Sequence, residues 1–262
     1  MNVYVLAAGY ATRLYPLTRD CAKPLLEVGG RPVLSRIVDR LLALPDLDEV
    51  VVVANRRFAC DFDAWRRNFA GPARLRVLDD GSTCEEDRLG AIGDLAFALQ
   101  RVPTGASPFV AIAGDNLIEF DLTPLYRAFL EGGRPLLVLR EVERVGGPTR
   151  YNEVAIDAEG GVRRFREKPP DPTSALAAIS LYFFTAEVAA LLERYLAEGG
   201  RHDEPGHFIA WLVEQTPVAS AGLPGEWFDI GSLETLEQAR RRFAAAAQPP
   251  SGDPPTTGNS GA

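Results

Sequence analysis

Apolar residues along this chain fall into short blocks of two kinds. Residues 2–5 (NVYV) and 49–54 (EVVVVA) are nearly continuous runs of the sort found in strands buried on both faces, and residues 74–78 form a third. Between them, residues 33–44 carry apolar side chains at 33, 34, 37, 38, 41 and 42, a helical period, and residues 58–69 read as a second helix ended by Gly71 and Pro72. Strand, helix, strand, helix, strand within the first 80 residues is the pattern of a doubly wound parallel sheet. The alternation continues. A helix is predicted from Leu89 to about Gln100, a strand over 109–113, a helix over 122–130 and a strand over 135–141. Residues 151–156 and 162–167 alternate about the turn Ala158-Glu159-Gly160-Gly161 and predict a hairpin. A buried strand over 177–184 and helices over 186–198, 208–214 and 233–245 complete the pattern. The last segment, QPPSGDPPTTGNSGA at 248–262, lacks apolar anchors and reads as a disordered tail.

Composition narrows the partners. A 262-residue chain with 46% hydrophobic and 24% charged residues has the make-up of a soluble globular domain. Its net charge of −8 argues against nucleic acid or an anionic membrane as the main partner. Cys21, Cys60 and Cys84 are an odd set without metal spacing, which suits a reducing compartment. No apolar run reaches 18 residues, and the N-terminus enters a strand at once, so a cytoplasmic protein without a signal peptide is expected. An acidic chain that handles phosphate must concentrate positive charge locally.

The stretch 6–32, LAAGYATRLYPLTRDCAKPLLEVGGRP, does so. After the first strand it nearly gives up its side chains, at Ala7, Ala8, Gly9 and Ala11. Small residues leave backbone N–H groups bare and let a ligand approach. Arg13 and Lys23 stand on either side of a proline-broken loop, and a cradle of amides between two cations suits a polyphosphate. The string is neither a P-loop, which needs G-x-x-x-x-G-K-[ST], nor a dinucleotide fingerprint, which needs G-x-G-x-x-G. Further on, Gly114-Asp115-Asn116 closes an apolar run, a place for an oxygen ligand of Mg²⁺, although these dipeptides also make turns. His202 and His207 flank Asp203-Glu204-Pro205-Gly206; this reads as a solvated helix entry with proline near its first turn.

LAAG-x-A-T-R-L-x-P-L-T, ten residues, then K-P-L-L-x-V, resembles the signature of the sugar-1-phosphate nucleotidylyltransferases, such as the glucose-1-phosphate thymidylyl- and uridylyltransferases. The likeness runs from about residue 2 to 243. It implies a Rossmann-like α/β fold of the GT-A-like nucleotide-diphospho-sugar transferase type, with a mixed, mostly parallel sheet flanked by helices. The expected division is a nucleotidyltransferase domain over 1–246, a sugar-binding lobe within roughly 135–225 and a tail over 247–262. The resemblance assigns Leu6, Ala8, Gly9, Tyr10, Ala11, Thr12, Arg13, Lys23, Gly81 and Gly90 to the nucleotide. The string LGAIGD at 89–94 matches the family's L-G-T-x-x-A only loosely beyond Gly90. Asp115 and Asp229, the latter in W-x-D-x-G-[ST], are the implied Mg²⁺ ligands. Asn116, Tyr151, Asn152, Glu167, Lys168 and Ser180 are assigned to the sugar phosphate. Asn152 and Ser180 stand where the family often has glycine, so an acceptor shaped differently from glucose 1-phosphate is expected.

The implied reaction joins an NTP and a sugar 1-phosphate, or a sugar-like polyol or cyclitol phosphate, to give an NDP-sugar and pyrophosphate, with Arg13, Lys23, Asp115 and Asp229 as the catalytic set. Three rivals stay open. A GT-A glycosyltransferase would want a D-x-D-like motif in place of G-D-N. A non-catalytic nucleotide-sugar-binding relative would tend to lose a phosphate-handling residue. A phosphocholine-type cytidylyltransferase would want an aromatic cage for a quaternary ammonium. The base, the acceptor and the choice between monomer and homo-oligomer are not fixed by the sequence.

Overall fold

The computed structural model of the chain describes residues 1–71, 74–143 and 151–247. The loop expected at 144–150 and the tail at 248–262 lie outside those residues.

Hydrophobic runs pair as their composition dictates. Strand β1 (Asn2–Leu6) is followed by a short ladder of β2 (Glu27–Val28) and β3 (Arg31–Pro32), helix α1 (Val33–Leu41), β4 (Glu49–Ala54), α2 (Ala59–Asn68) and β5 (Leu75–Asp79). Next come α3 (Ala91–Arg101), β6 (Phe109–Ala113), β7 (Asn116–Glu119), α4 (Thr123–Gly132) and β8 (Leu136–Glu141). The chain continues through β9 (Glu153–Ile156), β10 (Val162–Arg166), β11 (Leu176–Phe184), α5 (Glu187–Ala197), α6 (Pro205–Gln215), β12 (Ala219–Gly222), β13 (Glu226–Asp229) and α7 (Leu233–Ala247). Helix α6 starts at Pro205, three residues before the predicted start, because proline's fixed φ suits the first turn. Helix α7 takes Ala247, expected at the head of the tail, as its last residue; alanine is the strongest helix former.

Seven strands form one sheet in the order β12-β8-β11-β6-β1-β4-β5. Neighbours run parallel except β11, which is antiparallel to both β6 and β8, so the sheet is mixed and mostly parallel. Strand residues alternate between two apolar layers, as a period of two requires. Val3, Val5, Val50, Val52, Val110 and Ile112 meet α1, α2, α4 and α7 on one face. Tyr4, Val51, Val53, Phe109 and Ala111 meet α3, α5 and α6 on the other. Among the described residues no helix is long and apolar enough to cross a membrane.

Two small ladders build the rest. Strand β9 pairs with β10 as the predicted hairpin, with a register shift between Val162 and Arg164. Strand β13 pairs antiparallel with β7, placing Asp229 opposite Asn116. Glu153, which is 1% exposed, ties the hairpin to the chain before β11. Burial alone would raise its carboxyl. Thr173, Arg166 and Ser174 all donate to it, and the net result is a pKa lowered to about 2.

Candidate active site

The C-terminal ends of β1 and β6 open into a cavity of about 530 Å³, the position where open α/β sheets bind ligands. Gly114 lets the two strand ends meet. A Cβ there would sit 3.0 Å from Ala7 Cβ and 3.1 Å from the Leu6 carbonyl, and its own N–H donates to that carbonyl at 2.8 Å. Beyond β1 the chain turns at Ala11, which is left-handed at φ 50°, into a 3-10 turn over Thr12–Leu14. The Thr18 hydroxyl donates to the Ala11 carbonyl at 2.8 Å and braces that turn. Asn55, fully buried at the end of β4, donates to the Ala8 carbonyl at 2.8 Å. The loop is thus held by its carbonyls. A Cβ on Gly9 would meet nothing within 4 Å, so the space above it is open to a ligand.

Arg13 lines the cavity, is exposed, and makes no ion pair among the described residues. Lys23, on a second 3-10 turn over Lys23–Leu25, donates to Asp115 Oδ2 in a short, half-buried ion pair. Asp229 lines the same cavity. Besides the register of β7 and β13, the Ile230 N–H donates to the Asp115 carbonyl at 3.2 Å, so the two carboxylate-bearing segments are bonded directly. Among the described residues no group of three or more His, Cys, Asp and Glu side chains is arranged to hold a metal alone. Two convergent carboxylates fit Mg²⁺, which binds through one or two carboxylates and takes its other ligands from phosphate and water. The Lys23 ammonium against Asp115 marks where positive charge is wanted.

At one end the cavity is bounded by the entry to α3. Gly90 has φ 78°, and a Cβ there would come within 2.6 Å of the His202 carbonyl. That carbonyl accepts from the Ile92 N–H at 2.8 Å, and the Asp203 carbonyl accepts from the Ala91 N–H at 3.2 Å. Arg88 also donates to the Asp203 carboxylate at 3.2 and 3.3 Å. Segment 202–207, expected as a solvated helix entry, therefore supplies carbonyl acceptors to the first turn of α3 and lines the cavity with Asp203, Glu204, Pro205 and Gly206. Sequence reasoning missed these residues, because the contact joins positions more than 100 apart.

Another wall is formed by β10, β11 and the β7–β13 ladder, and segment 204–206 joins it to the α3 entry. Lys168, left-handed at φ 43°, reaches Glu204 at 3.0 Å. Glu167 packs beside Gly206, where a Cβ would overlap its carboxylate at 1.7 Å. Burial raises the Glu167 carboxyl to about 7, Lys168 opposing the shift and Glu204 adding to it. Asn116 is 3% exposed, and its Nδ2, like Trp227 Nε1, has no acceptor among the described residues. Both side chains line the cavity, while these two nitrogens themselves are out of reach of solvent.

Every residue assigned from sequence lines this cavity except Thr12 and Gly81. Thr12 is exposed at the start of the 3-10 turn. Gly81 serves a turn, at φ 88°, with its N–H donating to Asp79 Oδ1 at 2.8 Å. Asn152 lines the cavity, yet its amide donates to the Ala178 carbonyl at 3.0 Å and accepts from the Ala178 N–H at 2.7 Å. It therefore clamps β11 to the start of β9 while lining the cavity. Ser180 lies in the stretch of β11 where pairing with β8 shifts register, which turns it toward the cavity.

The nucleotidyl transferase family model matches residues 3–245. The chain belongs to the nucleotidyl transferase family. Among its relatives is the bifunctional protein GlmU of Methanococcus aeolicus, 25% identical over 88% of this chain and 51% of that protein. Another is the glucose-1-phosphate thymidylyltransferase of Streptomyces antibioticus, 27% identical over 95% of this chain and 68% of that protein. The chain thus spans about half to two thirds of the length of these curated relatives. A solved structure of UDP-glucose pyrophosphorylase complexed with UDP-glucose superposes with a TM-score of 0.78 at 18% identity, covering 94% of this chain and 98% of that one, a likeness of fold. Other members similar to it are named for uridylyl and guanylyl transfer, so the family includes proteins named for different bases.

Proposed function

We propose that this chain transfers a nucleotidyl group from an NTP to a sugar 1-phosphate, or to a sugar-like polyol or cyclitol phosphate, releasing pyrophosphate. The observation that carries the reading is the meeting, in one cavity, of Arg13, the Lys23–Asp115 pair, Asp229 and Glu167-Lys168. Two polyanions repel until cations neutralise them, and the acceptor phosphate must then stand in line behind the α-phosphorus. Catalysis of such a transfer is mostly positioning and charge stabilisation, so it requires no nucleophilic side chain. Arg13 binds the β- and γ-phosphates and stabilises departing pyrophosphate. Lys23 leaves Asp115 for the α-phosphoryl group as charge builds there. Lys168 aligns the attacking phosphate, and Glu167 binds acceptor hydroxyls. Asp115 and Asp229 would hold Mg²⁺, which supplies charge neutralisation between the phosphates when bound.

In this reading residues 1–246 work as one unit, with the acceptor lobe inside 135–225. A phosphocholine-type acceptor would need an aromatic cage, whereas Glu167 and Lys168 in the cavity favour a polyol phosphate. The test is pyrophosphate release with a panel of NTPs against sugar, cyclitol and choline phosphates in the presence of Mg²⁺. Turnover of a sugar or cyclitol phosphate supports the reading; turnover of choline phosphate alone, or none with any pair, refutes it.

A further inference from the structure

Lys168 already has a partner in the cavity. Its Nζ donates to Glu204 Oε1 at 3.0 Å and lies 3.8 Å from Glu167 Oε1, and all three side chains line the cavity. Glu204 directly precedes α6, a position that favours Ser, Thr, Asp or Asn. Its carboxylate makes no capping bond to that helix among the described residues and turns to Lys168 instead. The Lys168 hydrogen bond holds the Glu204 carboxyl below the usual carboxylate range, so it is an anion at neutral pH. The backbone on either side is fixed. The His202 and Asp203 carbonyls accept from the Ile92 and Ala91 N–H groups at 2.8 and 3.2 Å, and Arg88 holds the Asp203 carboxylate. Gly206 packs so closely on the Glu167 carboxylate that a Cβ would come within 1.7 Å of it. The Glu204 side chain can therefore turn without moving the segment that carries it. Its Oε2 lies 3.5 Å from His207 Nε2, which accepts from Arg201 Nη1 at 3.0 Å, so other basic side chains stand beside it.

In the nucleotidyl-transfer reading, on which this inference rests, Lys168 receives the acceptor phosphate. A phosphate arriving there meets a carboxylate on the same ammonium. An ammonium has three donors and can touch both anions, but they would then lie side by side. Like charges so placed cost more than the ordering of one lysine repays. We propose that Glu204 is a counter-ion latch on the acceptor site: it neutralises Lys168 until the phosphate of the acceptor displaces it. Every anion that uses Lys168 meets the same opposition. A sugar or cyclitol phosphate offsets it with hydroxyl bonds to Glu167, whereas inorganic phosphate has no ring hydroxyls to offer and binds weakly. Lys168 and Glu204 are partly exposed, at 41% and 43%, so water screens the pair and the effect is modest.

The test is calorimetric titration of the full chain with inorganic phosphate, beside kinetics with the NTP and acceptor that turnover identifies. Glu204→Gln keeps the size of the side chain and removes its charge. It is expected to bind phosphate about fivefold tighter than wild type and to lower the acceptor KM by a like factor, with the KM for NTP unchanged. Glu204→Ala should act in the same direction, so either variant alone decides the sign. The gain should vanish when Lys168→Ala is added, a control that separates this site from the cations of the loop after β1. A merely structural role weakens phosphate binding or leaves it alone; it does not tighten it. Phosphate affinity that stays the same or falls in the Glu204 variants overturns the latch, as does a gain that survives Lys168→Ala, and either result leaves nucleotidyl transfer standing. Turnover with no pair of NTP and acceptor overturns the nucleotidyl-transfer reading and the latch with it.

Discussion

Two walls of the cavity differ in the buried groups they leave without partners. At the α3 wall an acid pair, Asp80 and Asp94, leaves a buried acceptor without a donor. At the β10–β11 wall Asn116 and Trp227 leave buried donors without acceptors. Between them the bare loop after β1, Arg13 and the Lys23–Asp115 pair supply amides and mobile cations. Unsatisfied buried groups are rare in native proteins because each costs about 1–3 kcal/mol.

The largest effect should come from the middle of the cavity. Asp229→Ala and Lys23→Ala are each expected to lower kcat ~10²–10³-fold, comparable to removal of one preorganised electrostatic group. For Lys23 the KM for NTP should change little, since its contact strengthens only as charge develops. Steady-state kinetics at saturating Mg²⁺ checks this, and an unchanged kcat for either variant breaks the assignment.

Stability provides the next. Glu153→Gln removes the carboxylate that Arg166 and the 173–174 backbone hold, at a cost of about 3 kcal/mol. Because the folded pKa of Glu153 is depressed, its contribution is present above the unfolded value and lost as pH falls toward about 2. Chemical denaturation of both proteins at pH 7 measures the difference; no loss of stability contradicts the bracing role.

Smaller and more selective are changes at the acceptor end. Lys168→Ala and Asn116→Leu should raise the KM for the acceptor phosphate about tenfold while NTP affinity stays the same. If either variant shifts NTP affinity instead, the two ends have been assigned in reverse.

The mildest expected effect is one of pH. Asp94 and Glu167 both have raised folded pKa values, about 8 and about 7. The folded protein therefore keeps protons that the unfolded chain releases, and the ligand-free protein should lose stability as pH rises from about 4 to 8. Thermal unfolding at a series of pH values should give a Tm that falls by a few degrees over that window, with a flatter profile in Glu167→Gln.

The loop with Arg13 and Lys23 was legible because its chemistry is local: small residues, two cations and prolines within one stretch. Strands β1, β4 and β6 were legible because burial on both faces writes itself as an apolar run. Strands β7 and β13 were not. Residues 116–119 follow β6 after only Gly114 and Asp115, and pairing with residues 226–229 leaves no local pattern. Segment 202–207 is the exposed helix entry its polar residues indicate, but its contact with Gly90 through the His202 carbonyl left no local pattern. Asp94 did carry a signal. It lies in the stripe Ala91, Asp94, Leu95, Ala98 of an otherwise apolar helix face, and an acid on such a face is either paired or functional.

The most direct test of this assignment of the cavity is a crystal structure of the chain with Mg²⁺ and the NDP-sugar that turnover identifies. The account predicts the base at Gly90, the phosphates over Gly9 beside Lys23, and the sugar against Glu167 and Lys168. A ligand lying in the reverse sense, or bound outside this cavity, would contradict it.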